Sequence, residues 1–465
     1  MILALLLFAG APGPAVQEPA AEEPTPAAAM LAAAEELAAQ GKYRAAWNKY
    51  RNLIRRYRNS PEAAIAARRA GGANGFLGWA DLRRSGPSAN RVDVVVMGDG
   101  YTLDKQDSLD RYARYVPDIF ARHEVFGEYI GYFNFLRANV FSAESGIDGY
   151  GRDFDTALGA ANVNRRSGGH VSVDRAKVMA VLDELPEHDH LAIVFVRGTA
   201  PGTGGGGVAT IPGRPEGDML IHEWGHAFAG LADEYSDDVG YTGDPGTSVN
   251  VSNDPSPERV PWRHWLEAGV KGVGVYLGAA GRARGAWKPT VRGCAMQNGR
   301  SFCVVCREAL VLRIYSLVDP IDDCSPPAQP LVLPAGAQPL TASAPLEFRL
   351  TVLEPESHRL QVAWWVLPPE EAPPPPRPLG GTFAAGDRRR RGPLAPIPAE
   401  PAARTRPGRG GVHRFRLDPD RPPGLYRVVA RAWDDTRLPG ERHPWVLKDE
   451  YGLLESERAW WVRID

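Results

Sequence analysis

The sequence predicts an α/β domain, preceded by a helical hairpin and followed by an antiparallel β-sandwich. Three observations predict it. Two apolar runs, 92–96 and 191–196, read as buried strands and are separated by helical stretches at 108–123 and 173–185, the alternation of an α/β fold. Residues 30–70 carry helical period and composition. After Pro326 the segments LEFRLTVLEP, HRLQVAWWVL, HRFRLDP, LYRVVARAWDD and RAWWVRID are short, partly alternating and rich in aromatic and β-branched residues, as strands of a sandwich are.

At 465 residues the chain is too long for one core, so two or three domains are expected. It opens MILALLLFAGAPGPAVQEP. The apolar run at 2–9 is too short to cross a bilayer, and small residues follow it, so 1–18 reads as a secretory signal peptide; the rival is an apolar start on a cytosolic protein. A Pro/Ala/Glu-rich linker is assigned to 19–29. The region 30–87 reads as a tetratricopeptide-like hairpin, a further helix and a Gly-rich joint, with breaks at Gly41 and Ser60-Pro61. One such unit cannot bury its own apolar face, so it must pack on the next domain or on a partner. The α/β domain is assigned to 88–325 and the sandwich to 326–465. Low-complexity sequence at 367–411 interrupts the sandwich and reads as a disordered loop. Its basic run, 388–391, lacks interleaved aromatics, and the formal net charge is only −2. Nothing therefore points to nucleic acid. No later stretch reads as a transmembrane segment.

The chemistry concentrates in IHEWGHAFAGLADEY, 221–235. His222 and His226, four apart on a helix, share a face and can share one ion. Glu223, beside the first of them, is placed to take a proton from metal-activated water and return it to a leaving amine. Zn²⁺ is the ion this motif suits. Two histidines leave a third ligand to be found. On a straight helix residue 233 would lie about 16 Å from residue 222, so the chain must turn. Gly230 is the residue that can end the helix in a left-handed conformation. In Met-turn zinc peptidases the third ligand follows such a glycine by three residues, which is Asp233 here, with Glu234 the alternative. Tyr235 is either an oxyanion donor or a packing residue. Lone His264 lacks motif spacing. Met296, in a tight CAMQNG segment, is either a methionine turn beneath the metal or an ordinary buried methionine. Gly205, Gly206 and Gly207 precede the segment 208–211, and read as a rim where backbone meets an extended substrate on an edge strand, or as a flexible loop. Cys294, Cys303, Cys306 and Cys324 form an even set in a chain read as exported, which favours two disulfides; the CxxC spacing leaves a four-cysteine structural zinc site as the rival.

The run His222-Glu223-x-x-His226 followed by Gly230-Leu231-Ala232-Asp233-Glu234-Tyr235 resembles the immunoglobulin-A-peptidase-type zinc metallopeptidase family. Gly98-Asp99-Gly100-Tyr101-Thr102, Phe141-Ser142-Ala143-Glu144-Ser145-Gly146-Ile147-Asp148, the glycines 204–207, Asn250-Val251-Ser252, and Cys294-Ala295-Met296 with Phe302-Cys303-x-x-Cys306 resemble further motifs of that family. The resemblance spans about 90–320. It implies a zincin-like, Met-turn-type catalytic domain and a zinc-dependent endopeptidase acting on protein or peptide, in a secreted, periplasmic or cell-envelope setting. Immunoglobulin as substrate does not travel with the fold. The C-terminal β region is then a candidate docking module. Two rivals stand beside this reading: a zinc amidase acting on cell-wall peptide, and a non-catalytic binding protein on a zincin scaffold, for which Glu223 would be superfluous.

Overall fold

Three N-terminal helices, α1 (Pro26–Ala39), α2 (Tyr43–Arg56) and α3 (Pro61–Ala70), close a small core through Ala34, Ala38, Ala46, Tyr50 and Leu53. The computed structural model describes residues 24–465 apart from 71, 73, 150, 164–168, 215, 237–243, 331–332, 334–335, 372–373, 375–392 and 398. The expected signal peptide at 1–18, the first part of the linker and the basic run at 388–391 lie outside the described residues. Helix α1 starts inside the expected linker. Thr25 Oγ1 accepts from the Ala28 amide at 3.1 Å, and Pro26 opens the first turn, where a missing N–H leaves nothing unpaired. The open side of the three-helix core is covered by Leu77 and Phe141 of the neighbouring sheet.

That sheet has six strands: β1 (Gly75–Arg83), β2 (Val92–Asp99), β3 (Phe133–Phe141), β6 (Leu191–Val196), β7 (Thr203–Gly205) and β8 (Val208–Pro212), with a small hairpin of β4 (Ala161–Val163) and β5 (His170–Ser172) beside it. Its order is β1-β3-β2-β6-β8-β7. The four inner strands run parallel and the two edges are antiparallel. All of β2, β3, β6 and β8 is buried, which is why β2 and β6 read as continuous apolar runs. Strand β1 lies in what the sequence presents as a joint. Its pairing with β3 slips between Phe76 and Trp79, where Gly78 takes φ +117°, and such a bulge erases the alternation by which a strand is read.

Helices α4 (Gln106–Arg122), α5 (Glu124–Glu128), α7 (Gly217–Ala229) and α9 (Val304–Leu317) share one core with the sheet, built on Phe120, Phe133, Trp224 and Ile314. Helix α6 (Arg175–Leu182) packs on the other face through Val178 and Leu182. Helix α8 (Arg263–Glu267) and the hairpin β9 (Tyr276–Ala279) and β10 (Arg282–Lys288) follow α7. No helix among the described residues is long and apolar enough to cross a membrane.

The C-terminal strands are β11 (Ile321–Ser325), β12 (Leu340–Ala342), β13 (Leu346–Val352), β14 (Gln361–Leu367), β15 (Ala403–Thr405), β16 (Val412–Leu417), β17 (Gly424–Trp433) and β18 (Glu455–Ile464). A three-stranded sheet, β11-β13-β16, and a five-stranded one, β12-β18-β17-β14-β15, share a core of Phe348, Trp364, Val428 and Trp460. Pairing is antiparallel except between β12 and β18. Strand β11 pairs with β13, so this unit begins before residue 326. Part of the expected loop at 367–411 forms regular structure. Strand β15 pairs with β14, while Thr405 Oγ1 and the Ala399 carbonyl accept from the indoles of Trp364 and Trp365 at 3.0 and 2.9 Å. Buried indole N–H groups need acceptors, and low-complexity sequence supplies them as readily as any backbone.

The two units are joined by buried charge. His358 Nδ1 meets Glu128 Oε1 at 2.8 Å and its Nε2 meets Asp434 Oδ1 at 2.7 Å. The hydroxyls of Tyr129 and Tyr315 donate to Asp434 Oδ2 at 2.9 and 2.7 Å. Burial opposes the charge on His358, but Asp434 and Glu128 outweigh it and raise its pKa to about 9. The ordinary value is about 6.5, so the pair's stabilisation is complete below about 6.5 and is lost as pH rises through about 9. His358→Ala should lower unfolding free energy by about 3–5 kcal/mol near neutrality. The gap between wild type and variant should narrow in denaturant titrations taken from pH 6.5 to 9.5; a constant gap would refute the linkage.

Candidate metal centre

Helix α7 carries the two histidines one turn apart, and its other face holds it in the core. Trp224 stacks on Phe228 at 5.3 Å and packs edge-on to Phe120 at 5.5 Å. The cap position is Glu216, without a side-chain bond, while Asp218 pairs with Arg300 at 3.3 Å. The helix stops at Gly230, which adopts φ +63°, ψ +28°. The amides of Gly230 and Leu231 return to His226 O and Gly225 O at 3.1 and 3.3 Å, a left-handed helix end.

The chain then runs back across the end of α7 and is tied down residue by residue. Leu231 O meets His226 Nδ1 at 2.5 Å. Asn250 bonds both backbone groups of Ala232, accepting from N at 2.9 Å and donating to O at 2.8 Å. The β9–β10 turn donates from Ala280 N to Asp233 O and from Gly281 N to Tyr235 O, at 2.9 and 3.1 Å. The Glu234 amide donates to Met296 O at 2.6 Å, and Lys288 Nζ donates to Glu234 O.

This places Asp233 Oδ1 3.2 Å from His222 Nε2 and 3.1 Å from His226 Nε2, with the two histidine nitrogens 3.2 Å apart. Ligand atoms held about 2.0–2.1 Å from a tetrahedral ion stand about 3.3 Å apart, so this near-equilateral triangle fits a metal with one position left open. The tautomers are set from behind: His222 Nδ1 bonds Ala295 O at 2.8 Å, as His226 Nδ1 does Leu231 O. Burial works against a charged His222, but Asp233 and the Ala295 carbonyl raise its pKa to about 9. Burial likewise opposes the Asp233 carboxylate, but the two histidines hold its pKa below the usual carboxylate range. Glu223 is 8% exposed, and burial raises its pKa above the ordinary value despite the two histidines.

The triad floors a cleft of about 430 Å³ lined also by Glu223, Tyr235, His170, Gly202, Thr203, Gly204, Ala280 and Gly281. Tyr235 lies face-to-face with the His222 ring at 6.2 Å. Met296 is fully buried beneath the helix, its Sδ 2.8 Å from where a Cβ on Gly225 would stand. Gly225, between the histidines, thus admits the methionine directly under the site. Glu234 faces the other way. It lies buried among Cys294, Cys303 and Cys306, with Asn250 Nδ2 and Cys306 Sγ each donating to Oε1 at 3.1 Å. His264 is held by Glu308 Oε2 at 2.6 Å, outside the triad.

Two expectations need correction. Gly205, Gly206 and Gly207 do not line this cleft; Gly202 and Gly204 do. Gly206 and Gly207 make the β7–β8 turn at φ +55° and +90° and line a separate cavity with Arg175 and Arg313. Strand β8 is flanked on both sides, so β7 is the edge. A run of glycines does not say which one meets a neighbour: a Cβ on Gly204 would stand 2.0 Å from Glu223 O, while one on Gly205 would meet nothing within 4 Å. The second correction concerns the cysteines, all four of which are free thiols. Cys294 and Cys306 Sγ stand 3.8 Å apart, against about 2.05 Å for a disulfide, and Cys324 packs against the separate C-terminal core. His170 carries no role in the sequence reading, and Asn250 enters it only through the family resemblance, whereas its buried amide is spent on the ligand turn. Lone residues far from the motif carry no local signal for such roles.

Gly204→Ala should therefore destabilise by about 1–3 kcal/mol through overpacking and lower metal occupancy, while Gly205→Ala should leave both near wild type. Thermal unfolding with metal analysis of the two variants checks this; equal effects would refute the close packing of β7 on α7.

No curated protein matches the chain. A family model described as IgA Peptidase M64 matches residues 80–272, a span that runs from β1 through α8 and holds His222, Glu223, His226 and Asp233. It stops short of Met296, Cys294, Cys303 and Cys306, which pack against the same site from outside it. Over residues 80–272, this chain is similar to the IgA peptidase M64 family of peptidases.

Proposed function

We propose that the protein is an exported zinc-dependent endopeptidase with a zincin-like, Met-turn catalytic domain and a C-terminal β-sandwich that docks partners or substrate. One observation carries the reading: a buried glutamate beside three convergent donor atoms, on the floor of an open cleft edged by an extended strand. His222, His226 and Asp233 would hold the ion. When bound, zinc supplies a Lewis acid that lowers the pKa of water at the open position to about 7.

The remaining work falls to the chain's own residues. Glu223 takes a proton from the attacking water and later delivers it to the leaving amine. Its burial suits both tasks, because a carboxyl with a raised pKa both releases and accepts protons nearer neutrality. Asp233 makes the site one unit less positive than a third histidine would, which leaves more of the water's activation to Glu223. Tyr235, which lines the cleft and faces the His222 ring, would donate to a developing oxyanion. Strand β7 offers main-chain groups to an extended peptide, which sheet edges bind by adding a strand. A zinc amidase on cell-wall peptide would use the same catalytic residues. The open cleft and edge strand favour a peptide chain over a compact substrate.

Glu223→Ala should retain its metal and lose about 10²–10⁴-fold in kcat/KM on a denatured-protein or peptide-library substrate. No metal-dependent cleavage by the wild type on any such substrate would sink the proposal. Activity should fall on the acid side as Glu223 becomes protonated, with the limb of the kcat/KM profile above the ordinary carboxylate range. An acid limb absent down to pH 4 would remove Glu223 as the base. Tyr235→Phe should lower kcat more than it changes KM; an unchanged kcat would leave Tyr235 as a packing residue.

A further inference from the structure

We propose a second, structural metal site in this chain, formed by Glu234, Cys294, Cys303 and Cys306 and separate from the histidine centre. One ligand atom from each of these four lies within 4.8 Å of the others. The distances decide between a metal cage and a disulfide. A tetrahedral zinc with thiolates at about 2.3 Å and a carboxylate oxygen at about 2.0 Å has S···S edges of about 3.8 Å and S···O edges of about 3.5 Å. Here Cys294 and Cys306 Sγ are 3.8 Å apart, and Glu234 Oε1 stands 3.6 Å from Cys303 Sγ and 3.1 Å from Cys306 Sγ.

The surroundings are those of a closed site. Cys294, Cys306 and Glu234 are each at most 1% exposed, and none of the four residues lines the cleft, so four protein ligands leave no position open for substrate. Cys303 caps the 14-residue helix α9, and Cys306 lies in its first turn, where the helix dipole favours negative charge. The Cys303 amide donates to Cys294 Sγ at 3.4 Å, Thr290 Oγ1 and Asn250 Nδ2 donate to the Glu234 carboxylate at 3.2 and 3.1 Å, and buried Lys288 adds a positive charge beside the cluster. The loop carrying Cys294 is drawn tight by amides of Gln297, Asn298 and Gly299 donating to Cys294 O at 2.9, 3.1 and 2.9 Å.

The site would brace the catalytic floor. Cys294 is followed by Ala295, whose carbonyl orients His222, and by Met296, whose carbonyl receives the Glu234 amide. Glu234 is itself the neighbour of Asp233. Zinc bound by the cysteines would therefore fix both segments on which the histidine centre rests.

The test is elemental analysis of the full chain purified in zinc, with cobalt substitution as the probe. Wild type should hold two zinc ions per chain. His226→Ala should hold one, and on cobalt loading should still show the intense near-ultraviolet thiolate-to-cobalt absorption. Cys306→Ser, if it folds, should also hold one and lose that absorption. The cobalt spectra of wild type and His226→Ala keep the proposal testable even if the cysteine variant does not fold. One zinc per wild-type chain, lost in His226→Ala, with no thiolate–cobalt band, overturns the second site, whether the denatured chain titrates four thiols or two. The readout involves no substrate, so a failed peptidase assay leaves this result unaffected.

Discussion

The hydrogen bond from the Glu234 amide to the Met296 carbonyl joins two segments more than sixty residues apart in sequence. It sets them side by side under helix α7, and most of the site's geometry follows. With that amide pinned, the alternation of an extended chain sends Asp233 up toward the histidines and Glu234 down among the cysteines. With that carbonyl pinned, Ala295 O reaches His222 and the Met296 side chain fills the hollow at Gly225. Asn250, Lys288 and the Ala280-Gly281 turn hold the remaining backbone groups of the same segment. A carboxylate on a freely moving loop would lose rotational freedom on binding an ion; this one has lost it already.

Parts of this could be read from sequence because their causes are local. A shared face for two histidines follows from a spacing of four on a helix, and the helix stop from a glycine able to take positive φ. The parallel core strands were legible because burial on both faces leaves an unbroken apolar run. What was hidden depends on contacts between distant segments. Strand β1 lost its alternation to a bulge. The glycine that matters is chosen by what lies across from it, the Glu223 backbone, and no feature of TGGGGV distinguishes Gly204 from Gly205. The cysteines illustrate a general weighting error: an even count in a chain read as exported argued for bridges, but their partner is a glutamate sixty residues away that no cysteine spacing reveals.

The edge of the cleft has a chemical character of its own. Gly202 and Gly204 lie so close to β8 and α7 respectively that neither can carry a side chain: a Cβ on Gly202 would stand 2.6 Å from Thr210 O, and one on Gly204 2.0 Å from Glu223 O. A peptide laid along β7 would meet backbone and the Thr203 side chain, with little to read its residue types. Discrimination among sequences would then rest on the opposite rim, around Tyr235 and the β9–β10 turn, and on His170 at the mouth.

The charged junction at His358 makes the covalent boundary between the peptidase unit and the C-terminal strands a poor guide to where the molecule divides energetically. Asp434, from the end of β17, serves two tyrosines of the peptidase core, and Glu128 of that core serves a histidine on the far side. Severing the chain near residue 325 would leave Glu128 in one piece without its counter-charge, while Asp434 would keep His358 in the other but lose the Tyr129 and Tyr315 hydroxyls. A fragment chosen to isolate catalysis would therefore carry a buried carboxylate at Glu128 stripped of its histidine.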